Sequence, residues 1–163
     1  MKIFFLILIL MLHEISHAQN HDNLVNINFM LGSVQQSNVV SAGIKFIIKK
    51  GWHIYYKNPG DMGLPTTFTW QGNIKNFDIH WPAPLQHVDK INSKDFYSNI
   101  YTDTIIFPIS FTIQDNKNVT LKINYAVCNT TCIPQSKTLM FNELPNDFLD
   151  HKILNLINAW KSK

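Results

Sequence analysis

Apolar and polar residues alternate along much of this chain, and this alternation limits the possible folds more than any other feature. Every second position is apolar in four long segments, at residues 25–31, 42–48, 105–113 and 119–127. Successive side chains of a strand point to opposite faces, so the pattern is typical of half-buried strands in an antiparallel sheet. Shorter segments of the same character lie at residues 52–56, 66–70, 77–81 and 137–142.

Turn-forming residues separate these segments. Gly, Pro, Asn, Asp and Lys cluster at residues 50–51, 58–61, 71–73 and 115–117, and such clusters favour tight turns. Short strands at this spacing predict an all-β chain of about seven to nine strands, folded as a β-sandwich. Because aromatic residues dominate sandwich cores, Trp52, Trp70 and Trp81 are expected in the core.

One α-helix is predicted at the C-terminus. Asp147 can cap its first turn, and Lys161 and Lys163 lie where the helix dipole favours cations. Four apolar residues follow the cap at helical spacing, namely Leu149, Ile153, Leu156 and Trp160. Their single apolar stripe predicts a helix that packs against the sandwich.

The N-terminus has the pattern of a secretory signal peptide. Lys2 precedes an apolar run at residues 3–12, and Ser16 and Ala18 supply the small residues of a cleavage site. The run is too short to span a bilayer. We therefore expect a signal peptide at residues 1–18, cleavage after Ala18, and one exported domain at residues 19–163 without a stable membrane anchor.

The charge of the chain argues against nucleic-acid binding. The formal net charge is +3, and all fourteen basic residues are lysines scattered along the sequence. Nucleic-acid binding normally requires a concentrated basic patch, and arginine is the preferred reader of guanine.

The only two cysteines, Cys128 and Cys132, lie between two predicted strands, and three interpretations of them are open. Facing residues of an antiparallel pair are close enough for a disulfide, but a staple closing about five residues contributes only about 2 kcal/mol. Two thiolates can bind Cu(I), although no metal motif is written beside them. An exposed pair can also exchange between dithiol and disulfide.

Three motifs resemble a known family. They are "GWHIYYKNPGDMGLPTTFTW" at residues 51–70, "WPAP" at residues 81–84 and "YAVCNTTCIP" at residues 125–134. In this order they resemble the N-terminal periplasmic domain of the thiol:disulfide interchange protein DsbD, in the branch shared with suppressor-of-copper-sensitivity proteins. The resemblance implies an immunoglobulin-like sandwich with a redox-active disulfide between Cys128 and Cys132, in which Cys132 is the nucleophile and Cys128 the resolving thiol.

The resemblance also implies a function and partners. It predicts a periplasmic protein that exchanges disulfides with thioredoxin-like proteins, as a protein-disulfide reductase, without cofactor or bound metal. The best-studied members of the family space their cysteines more widely, and the full-length proteins continue into membrane and thioredoxin-like domains. Since this chain ends at Lys163, a separate membrane electron donor of the DsbD type is expected. The alternative is a non-enzymatic copper-binding or assembly module that uses the same cysteines.

A cap loop over the cysteines is known in the family, and residues 57–65 are the candidate here. Pro59 stiffens this segment, and Gly60 permits a positive φ. An ordinary rigid turn would have the same composition. The residues expected to form the cap are Tyr55, Tyr56, Asn58, Pro59, Gly60, Asp61 and Met62; of these, Tyr55, Tyr56 and Met62 are expected to shield the sulfur atoms.

Overall fold

The computed structural model describes residues 24–114, 119–141 and 143–163, which form eleven strands and one helix. The elements are β1 (Val25–Val34), β2 (Val39–Ile48), β3 (His53–Gly60), β4 (Thr67–Gln71), β5 (Ile74–Ile79), β6 (Leu85–Ile91), β7 (Lys94–Thr102), β8 (Thr104–Ile113), β9 (Val119–Cys128), β10 (Cys132–Phe141), β11 (Phe148–Leu149) and α1 (His151–Lys161). The predicted signal peptide, the turn at residues 115–117 and Asn142 lie outside the described residues.

The strands form two antiparallel sheets. The first sheet has the order β11-β1-β2-β8-β5, and the second has the order β10-β9-β3-β7-β6. Strand β4 also pairs with β9, beyond the point where β3 leaves it. The prediction of an all-β sandwich with one C-terminal helix is confirmed.

The core lies between the sheets and is built from the alternating residues. On β2, Ala42, Ile44 and Phe46 are completely buried, as the alternation predicts. Phe107 on β8 lies at the centre of a cluster of aromatic rings in edge-to-face contact, 5.1–5.4 Å from the ring centroids of Phe46, Phe68, Trp81 and Tyr101. Trp52, Trp70 and Trp81 pack against this core, as expected.

Helix α1 covers the outer face of the first sheet. Its Ile157 is fully buried, and it fits there because Gly32 and Gly43 carry no side chain. A Cβ at Gly43 would lie 3.2 Å from Ile157 Cγ1. Among the described residues, no helix is long and apolar enough to cross a membrane.

The predicted start and face of the helix need correction. Asp150, not Asp147, is the N-cap, and its carboxylate accepts a hydrogen bond from the Ile153 N–H at 3.0 Å. Leu149 belongs to β11, because its backbone pairs with Ser33 on β1 and so adds an edge strand to the first sheet. The buried stripe therefore runs through Ile157, whereas Leu156 is exposed.

Candidate redox site

A disulfide joins Cys128, the last residue of β9, to Cys132, the first residue of β10. The two residues face each other in the antiparallel pair, with their Cα atoms 4.1 Å apart. The side-chain oxygen of Asn129 accepts hydrogen bonds from the N–H groups of Thr130 and Thr131. This Asx-type turn closes the loop between the strands, so the predicted strand–turn–strand setting of the pair is confirmed.

The two cysteines differ in burial. Cys128 is only 1% exposed and packs in a small apolar cluster with Tyr55, Ile100 and Ala126. Cys132, in contrast, is exposed. Only one residue of the pair is therefore exposed, and the other is enclosed.

The site lies on the outer face of the second sheet. Side chains alternate along a strand, so Ala126 and Cys128 point away from the core that holds Tyr125 and Val127. The first sheet has its outer face covered by α1. The second sheet presents the cysteine pair on the equivalent face.

Tyr55 lies beside the exposed sulfur. Its hydroxyl oxygen is 3.8 Å from Cys132 Sγ, and since a disulfide sulfur carries no hydrogen, the hydroxyl is the donor. Burial, and secondarily the negative charge of Asp89, raises the pKa of Tyr55. The phenol therefore stays protonated and remains a donor at neutral pH.

The segment of residues 57–65, called the cap segment below, arches over the Tyr55 ring. Gly63 has a φ of 93°, and a Cβ there would overlap the ring, so the backbone lies directly on it. Thr66, just beyond the segment, donates a hydrogen bond of 2.6 Å from its hydroxyl to the Tyr55 carbonyl. The ring is thus held between the cap segment and Cys132.

The first half of the cap segment is anchored to β7. The N–H of Asp61 donates to the carbonyl of Tyr97 at 2.8 Å, and the N–H of Tyr97 donates to the Asp61 carboxylate at 2.9 Å. The Asn99 amide donates to the Asn58 carbonyl at 3.0 Å. Pairing of Gly60 with Ser98 completes the anchor.

The remaining cap candidates have different positions. Tyr56 lies on the core face of the sheet, with its ring 5.4 Å from Trp81 and 6.0 Å from Tyr101. It therefore does not face the cysteines, because adjacent residues of a strand point to opposite faces. Pro59 and Met62 are half-buried within the cap segment.

A groove lies between the end of the cap segment and β10. Its volume is about 360 Å³. It is lined by Leu64, Pro65, Asn124, Tyr125, Pro134, Gln135 and Ser136. Because β10 is an edge strand of its sheet, the groove lies next to an edge of the sandwich.

The structure also places beside the pair a histidine that no sequence motif marks. His53 on β3 faces Cys128 across the β3–β9 pair. Its ring centroid lies 5.6 Å from that of His87, and His87 Nε2 is 3.3 Å from the carboxylate of Asp89. Burial, and secondarily His87, lowers the pKa of His53, although Asp89 opposes the shift.

No metal-binding group is formed by these side chains. Within residues 24–114, 119–141 and 143–163, no three His, Cys, Asp or Glu residues are placed to hold one ion. The groups gathered at the site are a disulfide with one exposed cysteine, a phenol donor and a neighbouring imidazole.

Comparison with known proteins gives one family and one similar fold. The family described as "Thiol:disulfide interchange protein DsbD, N-terminal" matches residues 25–144. The N-terminal periplasmic domain of ScsB from Proteus mirabilis is 18% identical, with a TM-score of 0.68 over 85% of this chain and 54% of that one. The chain thus spans about half the length of that structure. The structural similarity supports the immunoglobulin-like fold.

Two structures from Neisseria meningitidis are less similar. The reduced DsbD N-terminal domain is 11% identical, with a TM-score of 0.45 over 73% of this chain and 86% of that one. The complex between the DsbD and PilB N-terminal domains gives 11% identity and a TM-score of 0.37, over 74% and 86% of the two chains. No curated protein sequence matches the chain.

Proposed function

Because this chain belongs to the family of DsbD N-terminal domains, we propose that it is a thiol–disulfide exchange protein whose Cys128–Cys132 pair carries reducing equivalents. The observation that carries the proposal is the asymmetry of the disulfide. An exposed sulfur is bonded to a buried one at the end of a hairpin. Exchange proceeds by thiolate attack on an accessible sulfur, so this arrangement presents one point of attack.

The asymmetry supports separate roles for the two cysteines. Cys132 is the nucleophile that forms the mixed disulfide, because a partner thiol or disulfide can reach only an exposed sulfur. Cys128, which is 1% exposed, is the resolving thiol. It attacks Cys132 Sγ from within the protein and releases the partner.

The partners are thioredoxin-like proteins. Cys132 lies at the start of the edge strand β10, and the groove along Leu64, Pro65 and Pro134 gives the partner's backbone a place beside the sulfur. The chain receives electrons from a separate membrane donor of the DsbD type and passes them to oxidised partners. It acts in the periplasm after cleavage of residues 1–18.

The cap segment regulates access to the pair. Tyr55 covers one side of Cys132, and the cap segment, through residues Asn58, Pro59, Gly60, Asp61, Met62 and Gly63, holds Tyr55 in place. A partner with complementary shape displaces this cover on docking, whereas small oxidants meet a shielded sulfur. Tyr56 supports the segment from the core side.

Single cysteine variants test the proposal. With an oxidised thioredoxin as the probe, the reduced Cys128→Ser protein is expected to form a mixed disulfide that persists, because no resolving thiol remains. The Cys132→Ser protein should form no adduct, since its only thiol is buried. Non-reducing electrophoresis and mass spectrometry of the adduct measure both outcomes.

Two results would contradict the proposal. In the first, both single variants exchange with thioredoxin at the wild-type rate. In the second, the reduced wild-type protein binds Cu(I) stoichiometrically and exchanges no disulfide with thioredoxin. The second result would instead support a copper-binding module.

A further inference from the structure

His53 is positioned to act on the buried cysteine. It faces Cys128 in the antiparallel register, and facing residues present their side chains on the same face with Cβ atoms about 4.5–5.5 Å apart. The Nε2 atom of His53 is buried and has no hydrogen-bond partner among the described residues. His53, with a buried ring nitrogen that no described residue pairs, therefore faces the resolving cysteine on the same side of the sheet.

The resolving step requires a proton acceptor at this place. Only a thiolate attacks a disulfide, and apolar surroundings raise the pKa of a thiol. In the disulfide form, Cys128 lies in the enclosed cluster with Tyr55, Ile100 and Ala126, and we expect its thiol to keep this place on reduction. Its thiol is thus expected to be protonated at neutral pH, and the buried setting denies it bulk water as a base.

We propose that His53 accepts the proton of the Cys128 thiol when Cys128 resolves the mixed disulfide formed at Cys132. This inference rests on the proposed exchange function. Cys132 thiolate first attacks the partner disulfide and expels one partner thiolate. Cys128 then transfers its proton to His53 Nε2, and its sulfur forms a bond to Cys132 Sγ while the bond from Cys132 to the partner breaks. The second partner thiolate leaves, and the imidazolium proton passes to it or to solvent.

The charges around His53 favour this role. The groups that face it are His87 and Asp89 from β6, Cys128 from β9, Thr102 from β7 and Tyr55 on its own strand. Burial and His87 together lower the pKa of His53 below the usual imidazole value. Since neutral imidazole is the form that accepts a proton, His53 is available as a base at neutral pH.

A small aromatic disulfide separates the two steps. When the reduced protein reacts with dithiobis(nitrobenzoate), attack by Cys132 releases one coloured thiolate, and resolution by Cys128 releases a second at a rate independent of reagent concentration. In His53→Gln we expect the second release to slow by about 100-fold at neutral pH, the lower end of what a general base contributes. The first release should keep its wild-type rate.

The matched control is His80→Gln. His80 also has a buried Nε2 without a partner in the described part of the chain. It differs in position, because it follows β5 in the first sheet, where its backbone N–H donates to the Pro108 carbonyl. Both releases should be normal in this variant. Equal second-release rates in His53→Gln and wild type would overturn the inference, and so would an equal slowing in His80→Gln.

The wild-type pH profile tests the inference even if His53→Gln does not fold. The second release should be constant above the pKa of His53 and decline below it, with a midpoint under the usual value of about 6.5. A second-release rate that instead rises tenfold per pH unit into the alkaline range would exclude His53 as the base. Absence of any second release in wild type would contradict the proposed function itself.

Discussion

At the scale of single residues, Tyr55 shapes the environment of Cys132 Sγ, the sulfur proposed to react. Its hydroxyl points at Cys132 Sγ, its ring is held by Gly63, and its carbonyl is held by Thr66. In the reduced state we expect the same hydroxyl to donate to the Cys132 thiolate. Hydrogen bonds to charged groups favour the charged form, so we expect this contact to favour the thiolate of Cys132, the proposed nucleophile.

Tyr55→Phe is expected to raise the pKa of Cys132 by about one unit, because a hydrogen bond to a charged group is worth about 1.5–3 kcal/mol. The thiolate fraction at neutral pH then falls about tenfold, but the more basic thiolate is about threefold more nucleophilic, so exchange slows only about threefold. Ultraviolet titration of the thiolate in a Cys128→Ser background measures the pKa.

Tyr125→Phe is the control for this variant. Tyr125 lies on the core-facing side of β9, and its hydroxyl donates to the Gln135 side chain at 2.8 Å. The Tyr125→Phe variant therefore removes a hydroxyl near the pair that does not contact Cys132 Sγ. An unchanged pKa in Tyr55→Phe, or an equal rise in Tyr125→Phe, would show that the phenol does not tune the nucleophile.

At the scale of elements, the contact between the cap segment and the Tyr55 ring leads to a prediction for Gly63. An alanine there is strained at a φ of 93° and also overlaps the Tyr55 ring, so the segment must lift. We expect Gly63→Ala to speed reduction of the disulfide by a small thiol several-fold and to cost about 1–3 kcal/mol of stability. Stopped-flow kinetics with dithiothreitol measure the rate.

Gly51→Ala separates the effect of backbone strain from the effect of overlap with the Tyr55 ring. Gly51 has a φ of 82°, but a Cβ there meets no atom within 4 Å. It therefore has a similar backbone strain without touching the cap segment. If both variants were reduced at the same rate, the contact between Gly63 and Tyr55 would not control access to Cys132.

The elements differ in how well the sequence predicts them. The four long alternating segments became β1, β2, β8 and β9 because each buries one face in the core. The hairpin of β6 and β7 was missed because its apolar residues face solvent in part, with Leu85 57% and Tyr97 50% exposed. Because these residues are only partly buried, apolar and polar residues do not alternate clearly along the hairpin. Its turn at Asn92 and Ser93 has a positive φ at both residues.

The site, too, can be predicted from the sequence only in part. The cysteines and their strand–turn–strand setting follow from local sequence, and Tyr55 was expected near them. His53 was not, because its place opposite Cys128 depends on the pairing of β3 with β9, two strands far apart in sequence. Register between distant strands is fixed by the whole core, so no local motif marks this histidine.

At the scale of the whole molecule, we expect the sandwich to hold together without its disulfide. The bond closes a loop of only about five residues and contributes about 2 kcal/mol by chain entropy. The two sheets meet instead through fully buried residues such as Phe46, Phe107 and Phe111. A domain that stays folded on reduction could open and re-form its disulfide repeatedly, which the proposed exchange requires.

Reduction should therefore lower the stability less than loss of a central ring does. We expect the reduced protein to remain folded, with a melting temperature lower by about 4–8 °C. Phe107→Ala, which removes the ring in contact with four others, should cost about 3–5 kcal/mol. Calorimetry of the oxidised, reduced and Phe107→Ala proteins makes the comparison. A reduced protein less stable than Phe107→Ala would mean that the disulfide is a structural staple, because exchange would then unfold the domain that performs it.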